Sequence, residues 1–265
     1  MFRSRLVKLT CLLFIASLLL SACGDEKATE TPVPTEVPPP TSTPVPSPTM
    51  TMTDTPVPPP PTAAPPVERE GIVGAYTAVG TNPDGSGYEG TLDVTANGDV
   101  FHWAWDFDGE YLGVGIQQEN VVSVAWGGDE CYVVSYIIQE DGVISGLWAG
   151  LGESAAGTDI ATPTDNVTEG DIAGTYNILG ADSGGGEYGC MLEVIPDGDV
   201  YQWNWTMCGE FNGVGIREGN SVSVAYGSEN CSAISYVVED DGTLNGTWVY
   251  VGTTDLGTDV ATPSQ

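Results

Sequence analysis

The chain spells out one domain-sized sequence twice. Residues 71 to 163 align with residues 171 to 263 without a gap, at a constant offset of 100, and 39 of the 93 positions are identical. Whatever fold these residues adopt must be reached twice, so recurring positions read as framework and divergent ones as decoration. The recurring set is rich in glycines that read as turn residues (Gly74, Gly80, Gly98, Gly109, Gly113, Gly115, Gly127, Gly142, Gly146, Gly152 and Gly157), set among alternating apolar and aromatic residues. Each copy is long enough for one small core, burying somewhat over roughly 60 per cent of its unfolded surface. Two domains are therefore expected, 71–163 and 171–265, joined by the short linker 164–170.

Turn signals recur about every ten residues along a copy: Asn82-Pro83-Asp84-Gly85, Asn97-Gly98, Asp108-Gly109, Glu119-Asn120, Gly127-Gly128 and Asp141-Gly142. Between them lie short runs with the two-residue period of β-strands. Phe101, Trp103 and Trp105 share one face against His102 and Ala104. Val122, Val124 and Trp126 oppose Ser123 and Ala125, and Val134 and Tyr136 oppose Ser135; the polar and small set is assigned to the outside. The runs fall near 72–80, 88–95, 99–106, 111–117, 121–126, 131–139, 143–150 and 157–161. Eight such strands per copy predict an all-β fold of two tandem antiparallel eight-stranded up-and-down barrels, each closed on itself to remove its edges. β-sandwiches are the alternative. A barrel of that size holds its own side chains or one small ligand.

Gly74-Ala75-Tyr76 at the start of a copy and Gly146-Leu147-Trp148 near its end resemble the Gly-x-Trp signature of avidin-like and lipocalin-like barrels. The resemblance implies a barrel. No polar set for the ligands of those barrels is found in the sequence, so none is carried over.

The amino terminus reads as a secretion signal over residues 1–22. Arg3, Arg5 and Lys8 precede an apolar run from Leu9 to Leu20, shorter than the roughly 20 residues that span a bilayer. Leu20-Ser21-Ala22-Cys23 resembles the lipobox of bacterial lipoproteins, which implies lipidation of Cys23 and a membrane partner reached through that anchor. Residues 23–70 follow as a Pro/Thr-rich tether. Fifteen of the nineteen prolines lie between 28 and 68, and proline-rich chain without large apolar residues favours extended, disordered polyproline II structure. The expected location is the bacterial cell envelope, outside the cytoplasm.

Charge narrows the partners. The chain holds 37 acidic groups against six basic ones, for a formal net charge of −31, and three of the six basic residues lie in the signal. Such a surface repels nucleic acid, which needs cations against its phosphates. Of the six cysteines, Cys11 lies in the signal and Cys23 takes lipid. Cys190 and Cys208 replace Gly90 and Asp108 of the first copy, and their joint appearance favours a bridge between them. Cys131 and Cys231 then remain, as a bridge between copies or as two buried thiols. No cysteine pair has zinc-site spacing, and no metal or cofactor is expected.

Ligand candidates are the aromatic residues Tyr88, Trp103, Trp105, Tyr136 and Trp148, with their counterparts Tyr188, Trp203, Trp205, Tyr236 and Trp248, since such rings stack on sugars or line apolar pockets. The same alternation assigns them to the interior, where core packing is their ordinary role. Asn82 to Ser86 with Asp93 imitates a calcium loop, but the second copy breaks the pattern. His102 is the single histidine and becomes Gln202, so no histidine-based triad assembles. A carboxylate pair from Glu110, Asp99 and Asp159, recurring as Glu210, Asp199 and Asp259, leaves a hydrolase as a third reading; these acids are read as turn residues. The function expected is a non-catalytic binding or adhesion module toward a carbohydrate, a protein or a small apolar ligand. A structural surface coat or spacer is the alternative.

Overall fold

A computed structural model describes residues 71–264 apart from 165, 166, 168, 169 and 229. The signal, Cys23 and the tether lie outside the described residues. Sixteen strands and no helix are found among those described. The first copy contributes β1 (Gly74–Thr81), β2 (Gly87–Asn97), β3 (Val100–Asp106), β4 (Glu110–Gln118), β5 (Val121–Trp126), β6 (Cys131–Ile138), β7 (Ile144–Gly150) and β8 (Gly157–Pro163). The second contributes β9 (Gly174–Ala181), β10 (Glu187–Asp197), β11 (Val200–Thr206), β12 (Phe211–Glu218), β13 (Ser221–Gly227), β14 (Ser232–Val238), β15 (Leu244–Tyr250) and β16 (Gly257–Pro263). Tight turns of the predicted chemistry join neighbouring strands within a barrel, whereas Gly127-Gly128 lies in the connection that leads from β5 to β6, which do not pair. At Asn97-Gly98 the glycine takes φ 63°, which suits the two-residue hairpin turns that match strand twist.

The strands close into two eight-stranded antiparallel barrels. The barrels, however, do not coincide with the repeats. Barrel 2 is the unbroken meander β6 to β13, sealed by pairing of β13 with β6. Barrel 1 is assembled from β1–β5 and β14–β16, sealed where β5 meets β14 and β1 meets β16. Barrel 2 is thus inserted between the fifth and sixth strands of barrel 1, and the two are circular permutants of each other. The expectation that each copy buries its own apolar stripe gives way to this arrangement. Residues 164–170 do not separate two barrels; they connect β8 to β9 within barrel 2, and the matching position in barrel 1 holds the two ends of the described chain, with Ser264 N donating to Ala75 O at 2.8 Å.

A second consequence concerns the faces. Ser123, Ala125 and Ser135, assigned to the outside by alternation, are buried. Periodicity reports which residues share a face, not what covers it. Here both faces are covered, because the outer surfaces of the central strands pack barrel against barrel in a third core. Val114, Ile116, Ala125, Val133, Val214, Ile216, Ala225 and Ala233 belong to it, and it contains no aromatic residue. Ser123 and Ser223 hydrogen-bond across it at 2.8 Å, and Cys131 is bridged to Cys231. Both pairs join residues 100 apart in sequence, so both straddle the pseudo-twofold axis that relates the barrels.

Inside each barrel the core combines aliphatic residues with stacked aromatic rings. Trp103 stacks on Tyr236 with ring centroids 5.2 Å apart, and Trp203 stacks on Tyr136 at 5.1 Å. Recurrent strand glycines make room for these rings. A Cβ at Gly115 would overlap the Trp103 indole, and one at Gly146 would overlap the Tyr136 ring. Gly80, Gly113 and Gly157 likewise lie within strands beneath Tyr88, Trp105 and Trp148. These are seats for aromatic side chains, not the turn residues the sequence suggests.

Candidate functional site

Each barrel opens at one end onto an aromatic-lined cavity. In barrel 1 the cavity measures about 200 Å³. Trp105 from β3, Trp126 from β5 and Trp248 from β15 form its walls, Tyr88, Phe107, Tyr111 and Tyr250 surround its mouth, and Asp259 from β16 supplies its single carboxyl. The rings brace one another: Trp126 meets Trp248 edge-on at 5.9 Å, and Tyr88 meets Phe107 edge-on at 4.9 Å. Edge contacts of this kind fix the rings against one another.

Asp259 and its counterpart Asp159 were read as turn residues. They lie within strands, and both are buried. Asp259 shares the inward face of β16 with Gly257 and Ala261, so the alternation of Gly-Thr-Asp-Val-Ala does point it into the barrel. What overrides the turn reading is a partner far away in sequence: the Tyr236 hydroxyl donates to Asp259 Oδ2. Burial pushes the Asp259 carboxyl up to about 6, against the opposing influence of Tyr236, Tyr88 and Trp105. Asp159 is raised by the same burial and lowered by Tyr188 and Tyr136. In return, burial and then the neighbouring aspartates hold Tyr136 and Tyr236 well above the usual phenol range.

The two carboxyls differ in how fully they are met. Asp159 Oδ1 accepts from the Tyr188 hydroxyl at 2.5 Å and Oδ2 from the Tyr136 hydroxyl at 2.9 Å. In barrel 1 the Tyr88 hydroxyl is directed to the Thr258 carbonyl at 3.0 Å, and Asp259 Oδ1 is buried without a hydrogen bond. The Nε1 donors of Trp126 and Trp248 on the same wall are also unmet.

The cavity in barrel 2 is larger, about 340 Å³, lined by Trp148, Trp205, Tyr188, Tyr226, Phe211 and Asp159 among others. Its disulfide explains the difference. In barrel 1 the Phe107 ring lies over Gly90, where a Cβ would strike it. In barrel 2 Cys190 stands at that position and is bridged to Cys208, while Met207, the residue matching Phe107, is turned out and 79 % exposed. The bridge on the wall thus takes the place of an aromatic lid at the mouth.

The ten aromatic candidates separate into two groups. Trp103, Tyr136, Trp203 and Tyr236 are fully buried in the cores. Tyr88, Trp105 and Trp248 line the cavity of barrel 1, and Tyr188, Trp148 and Trp205 that of barrel 2. Trp148 therefore serves the barrel that holds most of the second copy, and Trp248 the barrel that holds most of the first. Trp126, Phe107, Tyr111 and Tyr250 were not singled out from sequence. The Asn82 to Ser86 loop closes on itself, with Asp84 Oδ1 accepting from Ser86 N and Oγ at 2.9 and 2.6 Å. No group of three potential metal-ligating residues converges among the described residues. Compared with family models, curated proteins and solved structures, the chain matches none.

Proposed function

We propose that the protein is a lipid-anchored envelope protein whose two barrels bind small, largely apolar ligands outside the cytoplasm, without catalysis. The observation that supports this reading is the pair of braced aromatic cavities, each ending on one buried carboxyl. Concave sites lined by aromatic side chains with a few placed polar groups are the usual form of a small-molecule site. A glycoside-cleaving site needs two carboxyls facing one bond; the barrel 1 cavity presents one, and in barrel 2 the second, Asp182, is an exposed loop residue whose Oδ1 accepts from Gly184 N and Gly186 N. A large flat adhesive surface draws no support from rings that face inward. A sugar remains within reach only as a single ring that stacks on Trp105 or Trp248.

The anchor would deliver these cavities to a membrane surface, with the tether providing reach. Two or three acyl chains hold such a protein firmly, because each buried methylene contributes about 0.8 kcal/mol. Detergent partitioning of the native protein against a Cys23→Ala variant tests this part: the variant is expected in the aqueous phase. Binding is tested by tryptophan-fluorescence titration of the mature chain with a panel of single-ring aromatic compounds and monosaccharides. Saturable quenching lost in Trp248→Ala, with the circular dichroism of the barrels retained, supports a binding module. Silence across the panel points to the structural coat instead.

A further inference from the structure

We infer that the cavity of barrel 1 is an ammonium receptor: it takes one small protonated primary or secondary amine with an apolar body, whose N–H donates to Asp259 Oδ1 while Trp105, Trp126 and Trp248 enclose the rest. This rests on the binding role proposed above and names the ligand class for one of the two sites.

Three observations carry it. Asp259 is 1 % exposed and its Oδ1 accepts no hydrogen bond of full geometry, because the Tyr88 hydroxyl that faces it is directed to the Thr258 carbonyl. A buried acceptor left unmet costs about 1–3 kcal/mol, and more when charged, so a ligand that supplies the donor recovers that cost on binding. Next, no cationic side chain lines the cavity, and Arg217 is the only Lys or Arg of the chain beyond residue 70. The charge that answers the carboxylate must therefore come with the ligand. Finally, the walls are indole and phenol rings, whose faces attract a cation by about 0.5–2 kcal/mol depending on desolvation. The excess of acidic groups over the chain raises the local concentration of cations and opposes anions.

The volume fixes the size. An apolar cavity of about 150 Å³ accommodates benzene, so about 200 Å³ suits one ring with a short amino arm. Barrel 2 is the internal control. Its Asp159 has both oxygens met by Tyr188 and Tyr136, so it presents no comparable demand for a donor.

The experiment compares three probes with the same phenethyl body on the mature chain by titration at pH 7.5: phenethylamine, 2-phenylethanol and the bulkier phenethyltrimethylammonium. Phenethylamine is expected to bind at one site per chain, at least tenfold tighter than the neutral alcohol or the quaternary ion that lacks an N–H. Asp259→Asn is expected to abolish that preference. The unaltered chain gives a second readout in case the variant does not fold. Affinity for phenethylamine should fall at least fivefold from pH 7.5 to pH 5 as Asp259 takes up a proton. The amine stays charged over that range, and the phenols around Asp259, Tyr88 and Tyr236 two strands away on either side and Tyr250 at the mouth, are all raised above their ordinary value. Equal binding of all three probes overturns the ammonium assignment and leaves the binding role standing. Preference for the quaternary ion, or two equivalent sites per chain, also overturns it. No binding of any probe overturns the assignment together with the role it rests on.

Discussion

At the residue scale the buried Asp259 is the group whose shift bears on stability in the acidic range. Asp259 is raised from 3.8 to about 6 by burial, so between those two values the folded state binds more protons than the unfolded chain. Stability must therefore fall as pH rises through that window. The carboxyl's contribution is fully present below about pH 4 and lost above about pH 6, a span of two units or about 3 kcal/mol. Unfolding in guanidinium at stepped pH checks this. The midpoint is expected to rise on acidification from pH 7 toward pH 4, and Asp259→Asn should remove part of that slope; an unchanged slope in the variant would place the effect elsewhere. The glycine seats give a second prediction. Gly115→Ala sets a methyl group into the Trp103 indole, an overpacking that costs typically 1–3 kcal/mol. A variant as stable as the parent would mean that Trp103 has room to shift, against its complete burial.

At the scale of elements, the strands and their turns were legible from sequence, and the fold class followed. All eight expected runs per copy correspond to observed strands, because hydrophobic alternation and turn chemistry act over a few residues. Strand partnership across the molecule was not legible. Whether β5 turns back onto β6 or pairs with β14 depends on the connection Gly127 to Glu130, and a short Gly-rich stretch is compatible with either. The same gap hid the site: Trp248 and Asp259 meet Trp105 only after the exchange, so no reading confined to one copy brings them together. Small recurrent residues on the second face, Ser123, Ala125 and Ser135, were the available hint, since two copies presenting the same compact surface can pack on each other. The topology makes a direct prediction. Residues 131–227 form a continuous, closed barrel and should fold without the rest, giving a cooperative melt and a near-ultraviolet signal from Trp148, Trp203 and Trp205. Exposing Val133, Val214 and Ile216 should also make the fragment self-associate. A fragment lacking tertiary signal would show that barrel 2 depends on barrel 1 for closure.

At the scale of the whole molecule, one apolar layer between the barrels and one bridge across it oppose a large excess of like charge. The chain carries 37 acidic groups and six basic ones, and Arg217 alone of the basic six lies beyond residue 70. Its guanidinium is held by backbone carbonyls, with NH1 donating to Gly170 O at 2.6 Å and Nε to Gly219 O at 2.9 Å. Repulsion between exposed carboxylates is strongest in the compact state, and salt screens it over about 8 Å at physiological ionic strength. Sodium chloride should therefore stabilise the protein between millimolar and molar concentrations. A gain on the order of 1 kcal/mol corresponds to a rise in Tm of roughly 2–4 °C for a protein of this size. Chloride is the proper choice, since sulfate also strengthens apolar burial and would raise Tm whatever the charge. Acidification acts in the same direction as salt but also protonates Asp259, so the two must be varied separately. At pH 4, with much of the surface charge removed, the salt increment should shrink; an increment of equal size at pH 4 and pH 7.5 would mean that screening of carboxylates is not its source.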